Sequence, residues 1–338
     1  MRSVKLLAIA SAILLLGFSQ ASGAPKAVKL SFALALPAKA APYHGVFVPW
    51  AKEIEQRTNG LVKTEFYLSA TLVKPRDAYR GVVKGIADVS YIRHSTTPGR
   101  FPLISVLELP FMAPSSEVGA RVLNELYDKF PEMQAEHDDV HLLALGCGVP
   151  IELHTVKKPA RSLEDIKGMK IATSKSGAVA LEGAGAVPVV MIAPDFYGAL
   201  EKGVVDGLAI PYGALGGWKL YEVTNYHTNA HMGVATYWVA MNKGTWNKLP
   251  ADIQKIITEV SDKIPTTFSS AITDEMNRTI GKVKKLGHEI IDLPSEEMTR
   301  WRATAKPAWE KWVKDMEAKG LPGRAALDEA VRLVNKYR

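Results

Sequence analysis

The sequence predicts an α/β protein built as two similar lobes. Three observations carry that reading. Strand and helix patterns alternate over residues 28–92, the same alternation recurs over residues 141–210, and the chain from Ala251 onward is strongly helical.

The N-terminal residues come before any of these elements. Met1 to Lys5 is a short positive segment, Leu6 to Phe18 is an apolar run broken only by Ser11 and Gly17, and small residues follow to Ala24. That is the three-part pattern of a secretory signal peptide, with cleavage expected after Ala21 or Gly23. The run is too short for a comfortable transmembrane helix, which needs about 20 apolar residues.

Residues 28–34 alternate apolar with small or polar side chains and read as a first strand. A Pro/Ala-rich turn spans Pro37 to Pro42. Val46, Phe47, Trp50, Ala51 and Ile54 then recur at helical spacing, and Asn59-Gly60 ends that helix. Residues 61–67 form a second strand, residues 77–84 a short helix closed by Gly85, and residues 87–92 a third strand. After a helical stretch over 118–130, strands are expected at 141–145, 169–172, 187–191 and 205–210. A helical turn at Ser162 to Asp165 introduces the second of these, and a helix at 195–202 precedes the last. Trp301, Trp309 and Trp312 anchor amphipathic helices on the core near the C-terminus.

One local pattern occurs in both halves. A helix ends in Gly, and an Asp then opens the next strand: Gly85 with Asp88, and Gly203 with Asp206. There is no strict repeat. Two similar α/β units in one chain suggest a hinged pair with a cleft between them.

Composition narrows the function. Loss of residues 1–23 removes Arg2 and Lys5 and no acid, so the net charge falls from +7 to +5. The charges are dispersed and make no nucleic-acid footprint. Cys147 is the only cysteine, so no internal disulfide can form, and no cysteine at the cleavage region supports a lipid anchor. Hydrolase and zinc-protease signatures are missing, and no Cys/His cluster has metal-ligand spacing. Gly146-Cys147-Gly148 and Gly183-Ala184-Gly185 do not make a phosphate cradle, so neither a cofactor nor a metal is expected.

Six blocks, in order, resemble the solute-binding subunit of TRAP (tripartite ATP-independent periplasmic) transporters, the dicarboxylate-binding DctP type. They are Thr58-Asn59-Gly60; Gly85 to Val89 with Pro98 to Pro102 and Glu108 to Phe111; Lys158-Pro159 through Ser162 to Ile171; Gly185 to Val189 with Tyr197 to Gly207; Tyr221 to Thr228; and Met241 to Lys243 with Trp246 to Pro250. The resemblance implies a Venus-flytrap fold: two α/β lobes, hinge-crossing segments and long C-terminal helices. Residues 24–147 and 233–278 would form one lobe, and 148–232 with 279–338 the other. It also implies a periplasmic, non-enzymatic protein that captures a small organic solute and delivers it to a TRAP permease.

The chain departs from that family at two polar positions. Where members usually carry a carboxylate-pairing arginine this chain has Ala172, and after Asp206-Gly207 it has Leu208-Ala209-Ile210 in place of a polar residue. Arg93, just after the third strand, becomes the candidate carboxylate partner, with His94 beside it. Thr173 and Ser174 could donate hydrogen bonds, and the resemblance puts Tyr43, His44, Phe111, Tyr212 and Trp218 near the cleft. Glu152 or Asp195 would serve instead if the solute were neutral or carried an amine. A ligand sensor for a signalling receptor is the reading of a different class.

Overall fold

The computed structural model describes residues 27–338. The expected signal peptide, residues 1–23, lies outside the described residues. Among those described, no helix is long and apolar enough to cross a membrane.

Two sheets form. The first contains β1 (Val28–Leu34), β2 (Val62–Tyr67), β3 (Val89–Arg93), β4 (Val140–Cys147) and β10 (Thr236–Asn242), in the order β2-β1-β3-β10-β4. The second contains β5 (Glu152–Thr155), β6 (Lys170–Thr173), β7 (Val187–Val190), β8 (Gly207–Ile210), β9 (Tyr226–Asn229) and β11 (Glu289–Asp292), in the order β11-β9-β5-β8-β6-β7. β1 is parallel to β2 and β3, as crossover helices require, whereas β10 inserts antiparallel between β3 and β4.

The repeated Gly–Asp pattern has a structural cause. Gly85 and Gly203 adopt φ +69° and +67°, the left-handed conformation that ends a helix at little cost. Each aspartate then ties its strand to a neighbour. Asp88 Oδ2 accepts from the Ser31 backbone N–H at 2.9 Å, and Asp206 Oδ2 accepts from that of Lys170 at 2.8 Å.

The sheets are joined by adjacent crossing segments. Gly148 N–H donates to Ala235 O at 2.7 Å, Ile151 N–H to Gly233 O at 2.8 Å, and Met232 N–H back to Ile151 O at 2.9 Å. A third connection is the 22-residue helix Ile264–Lys285, about 33 Å long at 1.5 Å per residue. Its Ile264, Phe268 and Ile272 enter the core of the first lobe, and its Val283 enters that of the second.

The C-terminal helices differ from the expected division. Helices Lys306–Glu317 and Gly323–Tyr337 return to the first lobe, where Trp312, Val313, Leu327, Leu333 and Val334 pack with Leu107, Val122 and Leu123. The apolar stripe Ala326, Leu327, Ala330, Leu333 and Val334 is the physical reason, because it finds its matching surface there. Residues 279–338 therefore do not stay with the second lobe throughout. The tryptophans trace this path. Trp301 is in the second-lobe core, Trp312 in the first, and Trp309 packs against both, with its indole N–H on Pro110 O at 3.0 Å.

Candidate ligand-binding site

A cleft of about 680 Å³ opens between the two sheets. Its first-lobe wall is aromatic. Tyr237 on β10 pairs directly with Arg93 on β3, and Tyr91 lies two residues before Arg93, so all three share one face of the sheet. The Tyr91 and Tyr237 rings stack at 5.2 Å with 6° between their planes. Arg93 Nε–H donates to the Tyr237 hydroxyl at 3.1 Å, and its guanidinium carbon lies 5.7 Å from that ring's centre.

The second-lobe wall comes from Ser174, Ile192, Phe196, Ile210 and Trp218. The long helix closes the back with Phe268, Ile272 and Glu275. Among the described lining residues, Arg93 is the only lysine or arginine and Glu275 the only acid. Interaction with Tyr237 raises the Arg93 guanidinium further above its ordinary value, against the opposing effect of burial, so Arg93 is a fixed cation. Glu108 supports this wall from behind, since its Oε1 accepts from both the N–H and the hydroxyl of Thr236 at 2.8 Å.

Of the residues expected at the cleft, Arg93, Ser174, Ala209 and Trp218 line it. The others have different surroundings. Tyr43 packs on Phe66 and His44, with ring centres 5.2 and 4.9 Å away, beside the lining residue Pro42. His94 is buried, its Nδ1 2.9 Å from the Thr236 hydroxyl and its ring against Phe101. Phe111 leaves the first-lobe segment to enter the second-lobe core near Trp301, holding φ +57°.

Glu152 is buried, its oxygens accept from the His231 backbone N–H at 2.8 Å and ring Nδ1 at 2.7 Å, and it is not among the residues lining the cleft. Ala172 is fully buried in a cluster with Phe196 and Tyr212. Thr173 donates to Ala209 O at 2.9 Å, and Tyr212 donates to Asn229 Oδ1 at 3.1 Å. Asp195 is exposed in the first turn of helix Ala193–Glu201 and does not line the cleft.

Sequence reasoning missed Tyr91, Tyr237, Phe268 and Glu275. The period-2 rule could have found Tyr91, two positions from Arg93 on one strand. Tyr237 stands on a strand that the sequence reading did not assign. Phe268, Ile272 and Glu275 follow helical spacing, but spacing alone does not say which face meets a cleft.

Comparison with known proteins identifies the family. The description "Bacterial extracellular solute-binding protein, family 7", the DctP type, matches residues 32–315. The chain belongs to that family. It is similar to a TRAP periplasmic solute-binding protein from Desulfovibrio salexigens, with 31% identity, a TM-score of 0.85, and coverage of 92% of this chain and 97% of the other. A marine-metagenome TRAP solute-binding protein described as specific for aromatic acid ligands, in complex with metahydroxyphenylacetate, shares 29% identity at a TM-score of 0.82, covering 92% and 99%. The C4-dicarboxylate-binding periplasmic protein of Rhodobacter capsulatus is 26% identical over 318 residues, 87% of this chain and 94% of that one. DctP-type proteins are periplasmic solute-binding proteins that bind small molecules and work with TRAP permeases, and they are not a class of enzyme.

Proposed function

We propose that this protein captures an organic acid with an aromatic or similarly bulky body and delivers it to a TRAP permease. In this reading residues 1–23 are removed on export to the periplasm. Arg93 holds the carboxylate in the role that an arginine at position 172 plays in other members.

The observation that carries the reading is Arg93 itself, the only cationic side chain among the described residues lining the cleft. Its Nε–H is tethered to Tyr237, which leaves the terminal N–H groups for a bidentate pair with a carboxylate. Tyr91, Tyr237, Phe196 and Phe268 supply apolar and aromatic surface for the rest of the solute. The similarity to a relative specific for aromatic acids agrees with that lining. A solute touching both walls favours the closed arrangement by its differential affinity for it.

Calorimetric titration with 3-hydroxyphenylacetate and with succinate tests the reading. The aromatic acid should bind more tightly, and Arg93→Ala should weaken it by at least about tenfold, the scale of a lost hydrogen bond to a charged group. Unchanged affinity in Arg93→Ala would sink the assignment of Arg93.

A further inference from the structure

The cleft contains a second ionisable anchor that the carboxylate reading leaves unused. Glu275 follows Phe268 and Ile272 at helical spacing on the helix Ile264–Lys285, and all three face the cleft. The Glu275 side chain is half-buried and makes no hydrogen bond or ion pair with any described residue. Arg278, one turn along, is exposed and makes no ion pair with it, although its charge acts on the carboxylate through space.

The facing element is shaped around this carboxylate. A Cβ built on Gly213 would stand 3.2 Å from Glu275 Oε2 and 3.5 Å from its carboxyl carbon. The glycine thus lets the short helix Tyr212–Gly217 come close to this carboxylate, and both residues line the cleft.

We propose that Glu275 is a specificity-determining residue that selects, among aromatic acids, those carrying a hydroxyl group remote from the carboxylate. This rests on the reading of Arg93 as the carboxylate partner. The ligand would then be held at both ends, by the guanidinium of Arg93 and by its own O–H donating to Glu275. An acid without that donor leaves a half-buried carboxylate with no partner, which costs binding free energy. Burial raises the Glu275 carboxyl above its ordinary value, against the opposing charge of Arg278.

A hydroxyl fits better than an ammonium. An ammonium group brings three N–H donors, and a single carboxylate in a largely apolar wall leaves some of them unpaired. A hydroxyl brings one donor, which one carboxylate satisfies.

The test is calorimetry on the full chain with phenylacetate, 3- and 4-hydroxyphenylacetate, 3- and 4-methoxyphenylacetate, and 3-(aminomethyl)phenylacetate. One of the hydroxylated acids should bind about ten- to a hundredfold tighter than phenylacetate and than its own methyl ether. Glu275→Leu should erase that preference, weakening the hydroxylated acid and tightening phenylacetate, which no longer leaves a carboxylate without a partner. Glu275→Gln keeps the shape and a neutral acceptor, should retain part of the preference, and controls for a misfolded leucine variant.

Equal binding of hydroxylated and plain acids by the wild type, a preference that survives Glu275→Leu, or tightest binding of the ammonium compound would each overturn the proposal. The Arg93 assignment fails separately: Arg93→Ala would then bind every acid as the wild type does, while Glu275→Leu still erased the hydroxyl preference. Binding of none of these compounds by the wild type would overturn both.

Discussion

Arg93 and Tyr237 are direct partners across β3 and β10, and the arginine Nε–H donates to the tyrosine hydroxyl at 3.1 Å. One of five guanidinium donors is used, so the side chain is oriented without losing its terminal fork. Tyr237→Phe keeps the ring that stacks on Tyr91 and removes only the tether. The affinity of an aromatic acid should fall about three- to tenfold, the net value of one ordinary hydrogen bond. Titration of the purified variant checks this, and an unchanged Kd would mean that Arg93 needs no tether.

Trp218 offers an optical report of the same site. It is 49% exposed at the cleft wall, whereas Trp50, Trp238, Trp301 and Trp312 are buried. A ligand that draws the lobes together should cover Trp218 and shift its emission to the blue. Trp218→Phe should abolish most of that shift while the protein still binds. A shift of equal size in the variant would assign the signal to another tryptophan.

Much of the fold was legible because its signals are local. β1 alternates apolar with small or polar residues, Gly85 and Gly203 stop helices, and Asp88 and Asp206 reopen strands. Most strands that escaped notice are short or polar; β10 (Thr236–Asn242) is neither, and its apolar run was passed over. Tyr226–Asn229 contains His, Thr and Asn, whose burial depends on partners far along the chain, such as His154 and His288. The site was less legible than the fold for the same reason. Arg93, Ser174, Ala209 and Trp218 could be approached from strand ends, but Tyr237 and Glu275 arrive through a returning strand and a lobe-spanning helix. Glu152 and His94 look like free polar groups in the sequence. In the fold both are buried, and each is tied to a residue more than seventy positions away.

Gly119 tests the packing that positions β4. A Cβ built there would stand 2.4 Å from Cys147 Sγ and 3.0 Å from Cys147 Cβ. Both residues are buried, Cys147 at the end of β4 and Gly119 inside the helix Ser116–Lys129. Gly119→Ala gains up to about 1 kcal/mol of helix propensity, but overpacking a filled core costs about 1–3 kcal/mol. The variant should unfold at a lower urea concentration than the wild type. Adding Cys147→Ala, which removes the clashing sulfur, should recover part of the loss relative to Cys147→Ala alone. Additive effects of the two changes would argue against the clash.

A chain of imidazoles sets the expected pH dependence of stability. His154 Nε2 lies 3.0 Å from Ile210 O, its Nδ1 2.9 Å from His227 Nδ1, and His227 Nε2 3.1 Å from His288 Nδ1. One assignment satisfies every contact: His154 donates to the carbonyl, His227 donates to His154, and His288 donates to His227, all three neutral. Burial lowers His154 to about 4 and, with its two imidazole neighbours adding to the effect, His227 to about 2. Burial likewise lowers His137 to about 3 and His141 to about 4.

These folded values lie below the unfolded value of about 6.5, so between pH 6.5 and 4 the unfolded chain binds protons that the folded chain refuses. Their contribution is complete above pH 6.5 and is lost as the pH falls. Glu136 acts in the opposite sense, because burial raises it to about 7 and the folded state holds its proton more tightly than the unfolded state. His231, raised by its bond to Glu152 against the effect of burial, is protonated in both states over most of this window. The histidines outnumber Glu136, so the melting temperature should fall steadily from pH 6.5 to 4.5, with net proton uptake on unfolding. Glu136→Gln should steepen that fall and His227→Gln should flatten it. A melting temperature independent of pH over this range would mean that the imidazole chain accepts protons in the folded state.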